Sequence, residues 1–264
     1  MHADAGKMRA VRQVATRLRD HLERPIPIPD LAREAGLSER QFHRLFHSVL
    51  GESPAAHVRR LRLERTAAWL AYTDFPVIGA ALAGGYDSRE GFTREFHEHF
   101  GCAPGAFRQR VRADLRRVPD QCPATLGKPY ALALPPMRVA AWPHLGAGLG
   151  APSVWVNVGR WGCENGLLTP HTLPVSVLHD DEGIAPSAHA RLDAALVIAP
   201  DWTPADAETL PLLYDLPGGR HAIAPFEGSL YQLEAAWNHF ALRWFPASGH
   251  ALRDPRLLML HDAD

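Results

Sequence analysis

The chain has 264 residues, 46% hydrophobic and 22% charged, with a formal net charge of -1. This ordinary globular composition excludes a disordered or fibrous chain and leaves room for two domains. No apolar stretch approaches the ~20 residues of a bilayer-spanning helix, and the first ten residues hold no apolar signal core, so a cytoplasmic protein with no membrane partner is expected.

The near-neutral total conceals a split. Residues 1–117 carry 20 Lys and Arg against 14 Asp and Glu, and residues 118–264 carry 8 against 15, so the two parts are +6 and -7. Nineteen of the first 20 bases are Arg, whose planar fork suits phosphates and guanine edges. Trp69 stands alone in the first part, whereas Trp142, Trp155, Trp161, Trp202, Trp237 and Trp244 fall in the second. Cys102, Cys122 and Cys163 are too far apart for a disulfide framework or a zinc knuckle and read as free thiols. The seam is placed at 113–136, where a basic end runs into five prolines, giving domains over 1–112 and 137–264.

In chain order, Met8, Val11, Val14, Ala15 and Leu18 recur at helical spacing and predict a first amphipathic helix, stopped by Pro25, Pro27 and Pro29. Pro29 to Ala35 reads as a short helix, Gly36 breaks it, and Ser38 caps the next, SERQFHRLFHSVL. A longer helix follows from Pro54 to about Ala71. The pattern then recurs as PVIGAALAGG, a turn and SREGFTREFHEHF.

That recurrence is a repeat. At an offset of 50, Ser38, Phe42, Arg44, Phe46, Gly51 and Pro54 fall on Ser88, Phe92, Arg94, Phe96, Gly101 and Pro104. Each phenylalanine pair is i, i+4 and seats its helix in a small core. The opposite faces are left to Arg40, His43 and Arg44 in one unit, and to Arg89, Glu90, Thr93 and Arg94 in the other. A connecting helix of about 18 residues spans roughly 27 Å. With the width of the units added, this can set the two faces into successive major-groove segments, roughly 34 Å apart.

LAREAGLSERQFHRLFHSVLGESPAAHVRRLRLERTAAWL and GGYDSREGFTREFHEHFGCAPGAFR resemble the two helix-turn-helix units and linker helix of the AraC/XylS family of bacterial transcription regulators, over about 8–112. The resemblance implies an all-α pair of homeodomain-like units that bind promoter DNA, with those seven polar residues at base-facing positions. Glu90 would face a cytosine amino group or an arginine. RNA polymerase is a further candidate partner. Two departures stand out: Gly84-Gly85 occupies a place where one glycine is usual, which would loosen this helix end, and Pro76 crowds the start of the second unit.

The second part reads as mixed strand and helix. MRVAAW, HTLPVSVL, RLDAALVIA and HAIAPF are strand-like, PLLYDL less so, LYQLEAAWNHFALRWF has helical spacing, and LLML can form a last strand. Trp237 and Trp244 share a helix face and are expected in a core. Trp142, Trp161, Tyr214 and Phe226 are candidates for lining a ligand pocket. No reaction centre is apparent: His144, His171, His179 and His189 lack metal-ligand spacing, His97 and His99 point to different sides of a helix, and Asp180-Asp181-Glu182 with Gly183 reads as an acidic turn. No cofactor or metal is expected, and no enzyme activity.

MRVAAWPHLG, LDAALVIAPD and IAPFEGSLYQLEAAWNHFALRWFPASG resemble the GyrI-like effector-binding family, over about 137–264, chiefly through Asp193, Gly228, Trp237 and the WFPASG turn. The resemblance implies an α+β domain of two β-α-β-β repeats around a cleft. In drug-binding relatives a glutamate on the last strand holds cations; here the matching position, around Leu258 or Met259, is apolar, which points to a small, largely apolar effector. The combined expectation is a DNA-binding transcription regulator with a small-molecule effector. The alternatives are a sequestering or hydrolytic protein acting through the second domain, and a protein whose second domain docks a partner.

Overall fold

The computed structural model describes residues 2–115, 118, 121–146, 152–179, 191–203, 211–253 and 256–261. The expected acidic turn and His189 lie outside them.

The first part is helical: α1 His2–Leu18, continued by a 3-10 turn, α2 Ile28–Glu34, α3 Glu39–Leu50, α4 Pro54–Tyr72, α5 Val77–Ala83, α6 Arg89–Phe100 and α7 Pro104–Leu115. Local chemistry sets the boundaries. Ser38 and Gln41 form a capping box at the start of α3, the Ser88 hydroxyl accepts from the Gly91 N–H at the start of α6, and Gly51 and Gly101 end the two helices in left-handed conformation. Pro54 and Pro104 occupy first turns, where a missing N–H costs nothing.

Two separate cores follow from the repeat. One joins Val11, Val14 and Leu18 of α1 with Leu31, Phe42, Phe46, Val58 and Leu61. The other joins Leu63, Ala67, Trp69 and Leu70 with Ala80, Phe92, Phe96 and Phe107. The helix α4 is therefore shared, its first half serving one unit and its second half the other.

The double glycine has a steric reason rather than a loosening effect. A Cβ on Gly84 would lie 2.6 Å from Thr66 Oγ1, and one on Gly85 would lie 2.7 Å from the Leu22 carbonyl oxygen with φ at +86°. The second unit is thus pressed against α4 and the end of α1 through bare backbone. Gly85→Ala is expected to cost about 1–3 kcal/mol in urea unfolding, because the left-handed conformation and a backbone clash combine. Pro76 fits without crowding: it stands just before α5, and its carbonyl accepts from the Ala80 N–H at 2.8 Å.

The second part contains β1 Tyr130–Leu134, β2 Met137–Leu145, α8 Pro152–Glu164, β3 Pro174–Leu178, β4 Arg191–Ile198, β5 Leu212–Leu216, β6 Gly219–Ile223, α9 Leu230–His239 and β7 Leu257–Leu260. A five-stranded antiparallel sheet runs β5-β2-β4-β3-β7, and β1 pairs with β6. Here β2-α8-β3-β4 is one β-α-β-β unit, and β6, α9 and β7 represent the second among the described residues. The domain is α+β and follows an all-α pair.

Three elements depart from the sequence reading. The connector 113–136 contains β1 and the end of α7, and Leu126 bridges to Phe226. The strand β6 begins at Gly219, before the HAIAPF segment. The helix α8 was not anticipated, since PSVWVNVGRWGCE is rich in valine and glycine, both weak helix formers. Packing decides the matter: Val154 and Val158, one turn apart, are buried against Ala194 and Leu196, and Gly162 lets Leu196 approach closely.

The pleat gives the sheet two faces. Val139, Ala141, Val175, Val177, Ala195, Tyr214 and Leu216 share one core, whereas Trp142, Ala194 and Leu196 face α8 on the other. Trp237 and Trp244 pack around Ala236 and Phe240 of the α9 region, beside Phe226. A π-helical stretch, Phe240–Trp244, interrupts this helix and stacks Trp244 on Phe240 at 5.3 Å.

Candidate functional site

Two helix faces carry the cationic groups singled out above. Phe42, Phe46, Phe92 and Phe96 are fully buried, which turns the opposite sides of α3 and α6 outward. Arg40, His43, Arg44, Arg89, Glu90 and Arg94 are exposed, and Thr93 is half-buried. Among the described residues, Arg40, Arg44, Arg89 and Arg94 make no hydrogen bond or ion pair. Other arginines of the same part are engaged: Arg17 with Glu34, Arg33 with Asp30, Arg62 with the carbonyls of Leu22 and Arg24, and Arg112 with Asp74. A free guanidinium fork is the arrangement needed to meet a phosphate or the O6/N7 edge of guanine. The 19 residues of α4 span about 28 Å between the two units.

A polar cluster joins the two parts, and sequence reading missed it. Glu52 Oε1 accepts from His57 Nδ1 at 2.7 Å, from Arg60 Nη2 at 3.1 Å and, across the joint, from Arg191 Nη2 of β4 at 2.8 Å. An ionised carboxylate only accepts, so the His57 proton sits on Nδ1. Arg60 also grips Glu64 at 2.7 Å. Burial alone would raise the Glu52 carboxyl, but the bonds and charges of His57 and Arg60 hold it well below the usual carboxylate range. Burial, helped by the charges of Arg191 and Arg60, depresses the His57 imidazole to about 3 against the opposing pull of Glu52. His57, Arg60 and Glu64 are a polar stripe at spacings of three and four on a helix otherwise buried, and that spacing is the signal that could have exposed the cluster.

A second polar contact lies beside it. Asp193, fully enclosed in the sheet, accepts from Tyr214 Oη at 2.7 Å and His179 Nε2 at 2.8 Å. Burial opposes its ionisation, yet His179 and Tyr214 keep its carboxyl below the ordinary value. Arg19 of the first part donates to the His179 carbonyl at 2.7 Å, and Gln13 of α1 reaches the Leu213 carbonyl at 3.4 Å. Leu252 of the second part packs into the core of the second unit, and Tyr72 meets Trp237 edge-on at 6.1 Å. The second part thereby touches both helix-turn-helix units.

The four pocket candidates do not converge. Trp142 and Trp161 meet at 4.9 Å, and Trp161 meets Trp202 at 5.4 Å, on the α8 face. Tyr214 lies on the opposite face, committed to Asp193, and Phe226 belongs to the core under α9. Two positions of a sheet differing by one residue point to opposite sides, which a list of aromatics cannot reveal. Leu258 packs into the core shared with Tyr214.

A family model described as a helix-turn-helix domain matches residues 31–110, and one described as a GyrI-like small molecule binding domain matches residues 128–260. The chain belongs to the GyrI-like family, with an AraC/XylS-like helix-turn-helix domain in front. Similar curated proteins include the HTH-type transcriptional regulator YbfP of Bacillus subtilis, 36% identical over 100 residues, covering 38% of this chain and 34% of that protein. The right origin-binding protein of Escherichia coli is 32% identical over 99 residues, covering 38% and 34%. The RCS-specific transcriptional activator RclR of Escherichia coli is 38% identical over 85 residues, covering 32% and 30%. The match to these relatives spans about a third of their length. Among the described residues of this GyrI-like protein, no helix is long and apolar enough to cross a membrane.

Proposed function

We propose that the chain is a one-component, cytoplasmic transcription regulator in which α3 and α6 read adjacent major-groove segments of promoter DNA and the GyrI-like domain senses a small, largely apolar molecule. Arg40, His43 and Arg44 serve the first segment; Arg89, Glu90, Thr93 and Arg94 serve the second. The observation that carries this reading is the pair of exposed, unengaged arginine faces, each on its own core and joined by α4. For the effector, the Trp142, Trp161 and Trp202 cluster is the preferred apolar wall, with Tyr214 and Phe226 remaining as separate candidates. Signal passes as linkage, through contacts of the second domain with both units.

Binding of the full chain to randomised duplexes at near-physiological salt, followed by selection and sequencing, tests the reading. A motif in two halves about one helical turn apart is the expected product. On that site Arg44→Ala is expected to cost about 1–3 kcal/mol in a titration, and much less on random DNA. Equal weakening on both kinds of DNA would reduce Arg44 to a phosphate contact, and no enriched motif would remove sequence reading altogether.

A further inference from the structure

A cavity of about 1080 Å³ lies between the two domains, with walls from both. Its size is that of a ligand site for a drug-sized molecule. Four of the described lining residues are arginines, Arg19 and Arg65 from the helix-turn-helix domain and Arg253 and Arg256 from the GyrI-like domain, against two acids, Glu23 and Asp74. The lining therefore sums to +2, in a domain pair whose second member is acidic overall. Both acids have cationic partners: Glu23 pairs with Arg65 at 3.6 Å and Arg24 at 3.7 Å, and Asp74 with Arg112. Apolar wall is supplied by Trp69, Phe75 and Leu252, with Trp69 and Phe75 edge-to-face at 5.8 Å.

Net positive charge and aromatic surface in one lining select for one chemistry. We propose that this cavity binds an organic anion with an apolar body, such as an aromatic carboxylate, its charge at Arg253 and Arg256 and its apolar part against Trp69, Phe75 and Leu252. Arg19 connects the site to the rest of the molecule. It lines this cavity and also donates to the His179 carbonyl across the domain joint. An anion that draws Arg19 toward itself weakens that bond, so occupancy bears on how the two domains sit, and DNA binding changes ligand affinity by the same factor. Binding at this site stands apart from the function proposed above; only the coupling to DNA rests on it.

The test is calorimetry on the full chain with three matched probes: naphthalene-2-carboxylate, its methyl ester and 2-naphthylmethylammonium. The acid is expected to bind about tenfold or more tighter than the other two, since a charge-assisted bond to Arg is lost in both. Arg253→Glu changes an exposed side chain that makes no hydrogen bond or ion pair among the described residues. Together with a separate Arg256→Gln variant, it should remove that preference and leave ester binding unchanged, and Arg253→Glu should leave the melting temperature unchanged as well. Equal binding of acid and ester, an acid preference that survives both variants, or no acid binding at millimolar concentration would each overturn the proposal. Acid binding that leaves affinity for the selected operator unchanged would overturn the coupling through Arg19, whereas failure to select any operator would strike the regulator reading and leave the calorimetry intact.

Discussion

Phe92→Ala is expected to lower stability by about 3–5 kcal/mol and to erase the second half of the DNA footprint while sparing the first. The ring is fully buried, 5.3 Å from Phe96 and 5.1 Å from Tyr86, at the centre of the second core. Truncation removes both the transfer energy of the ring and the contacts of the atoms around the void it leaves, and that sum is typical of a buried Phe→Ala change. The selectivity comes from the division of α4. Val58 and Leu61 belong to the first core, and Leu63, Ala67 and Leu70 to the second, so the damage stays with α5, α6 and α7. Hydrogen exchange resolved by unit, with footprinting on the selected operator, would show it. Loss of protection spread equally over both units would mean that the two cores behave as one.

The first domain was nearly complete in its sequence because each of its rules is local. Ser38 and Ser88 cap, Gly51 and Gly101 terminate, and the Phe pairs set the buried face, all within one turn of the residues they control. The repeat then supplied what local rules lack, the statement that two such units share a connecting helix. In the second domain the strand segments were legible from β-branched runs, but α8 was not, because Val154, Val158 and Gly162 become helical by packing on Leu196, a residue more than thirty positions later. The polar joint was hidden for the same reason. Glu52 and Arg191 are 139 residues apart, and neither has a local reason to be buried. The family resemblance marks Asp193, whereas its partners, Tyr214 and His179, depend on strand register. Sequence alone therefore offers Tyr214 as a pocket residue without revealing that its hydroxyl donates to Asp193.

That joint makes the protein sensitive to acid, with a sign fixed by its two titrating groups. Folded His57 takes up a proton only near pH 3, and an unfolded chain takes it up near 6.5, so the unfolded state binds more protons between these values. Glu52 acts in the same direction at lower pH, because its folded carboxyl is held below the unfolded value of 4.5. Stability is therefore full above about pH 6.5 and falls by several kcal/mol as the pH drops toward 3, as urea unfolding at pH 7, 5.5 and 4 would record. His99 and His261, lowered chiefly by burial, add to the slope with the same sign. Two substitutions separate the contributions. Glu52→Gln removes the anion that Arg60 and Arg191 share, leaving Glu64 on Arg60, and is expected to cost about 3–5 kcal/mol at pH 7, yet it keeps the slope between pH 6.5 and 4.5, because burial and two guanidiniums hold His57 neutral without the carboxylate. His57→Gln retains a donor toward Glu52 and flattens that slope to the remainder left by His99 and His261. A wild-type profile that stays level from pH 7 to 4, or a slope unchanged in His57→Gln, would show that the imidazole titrates in the folded state much as it does in water, and the buried joint would then have to be open to solvent.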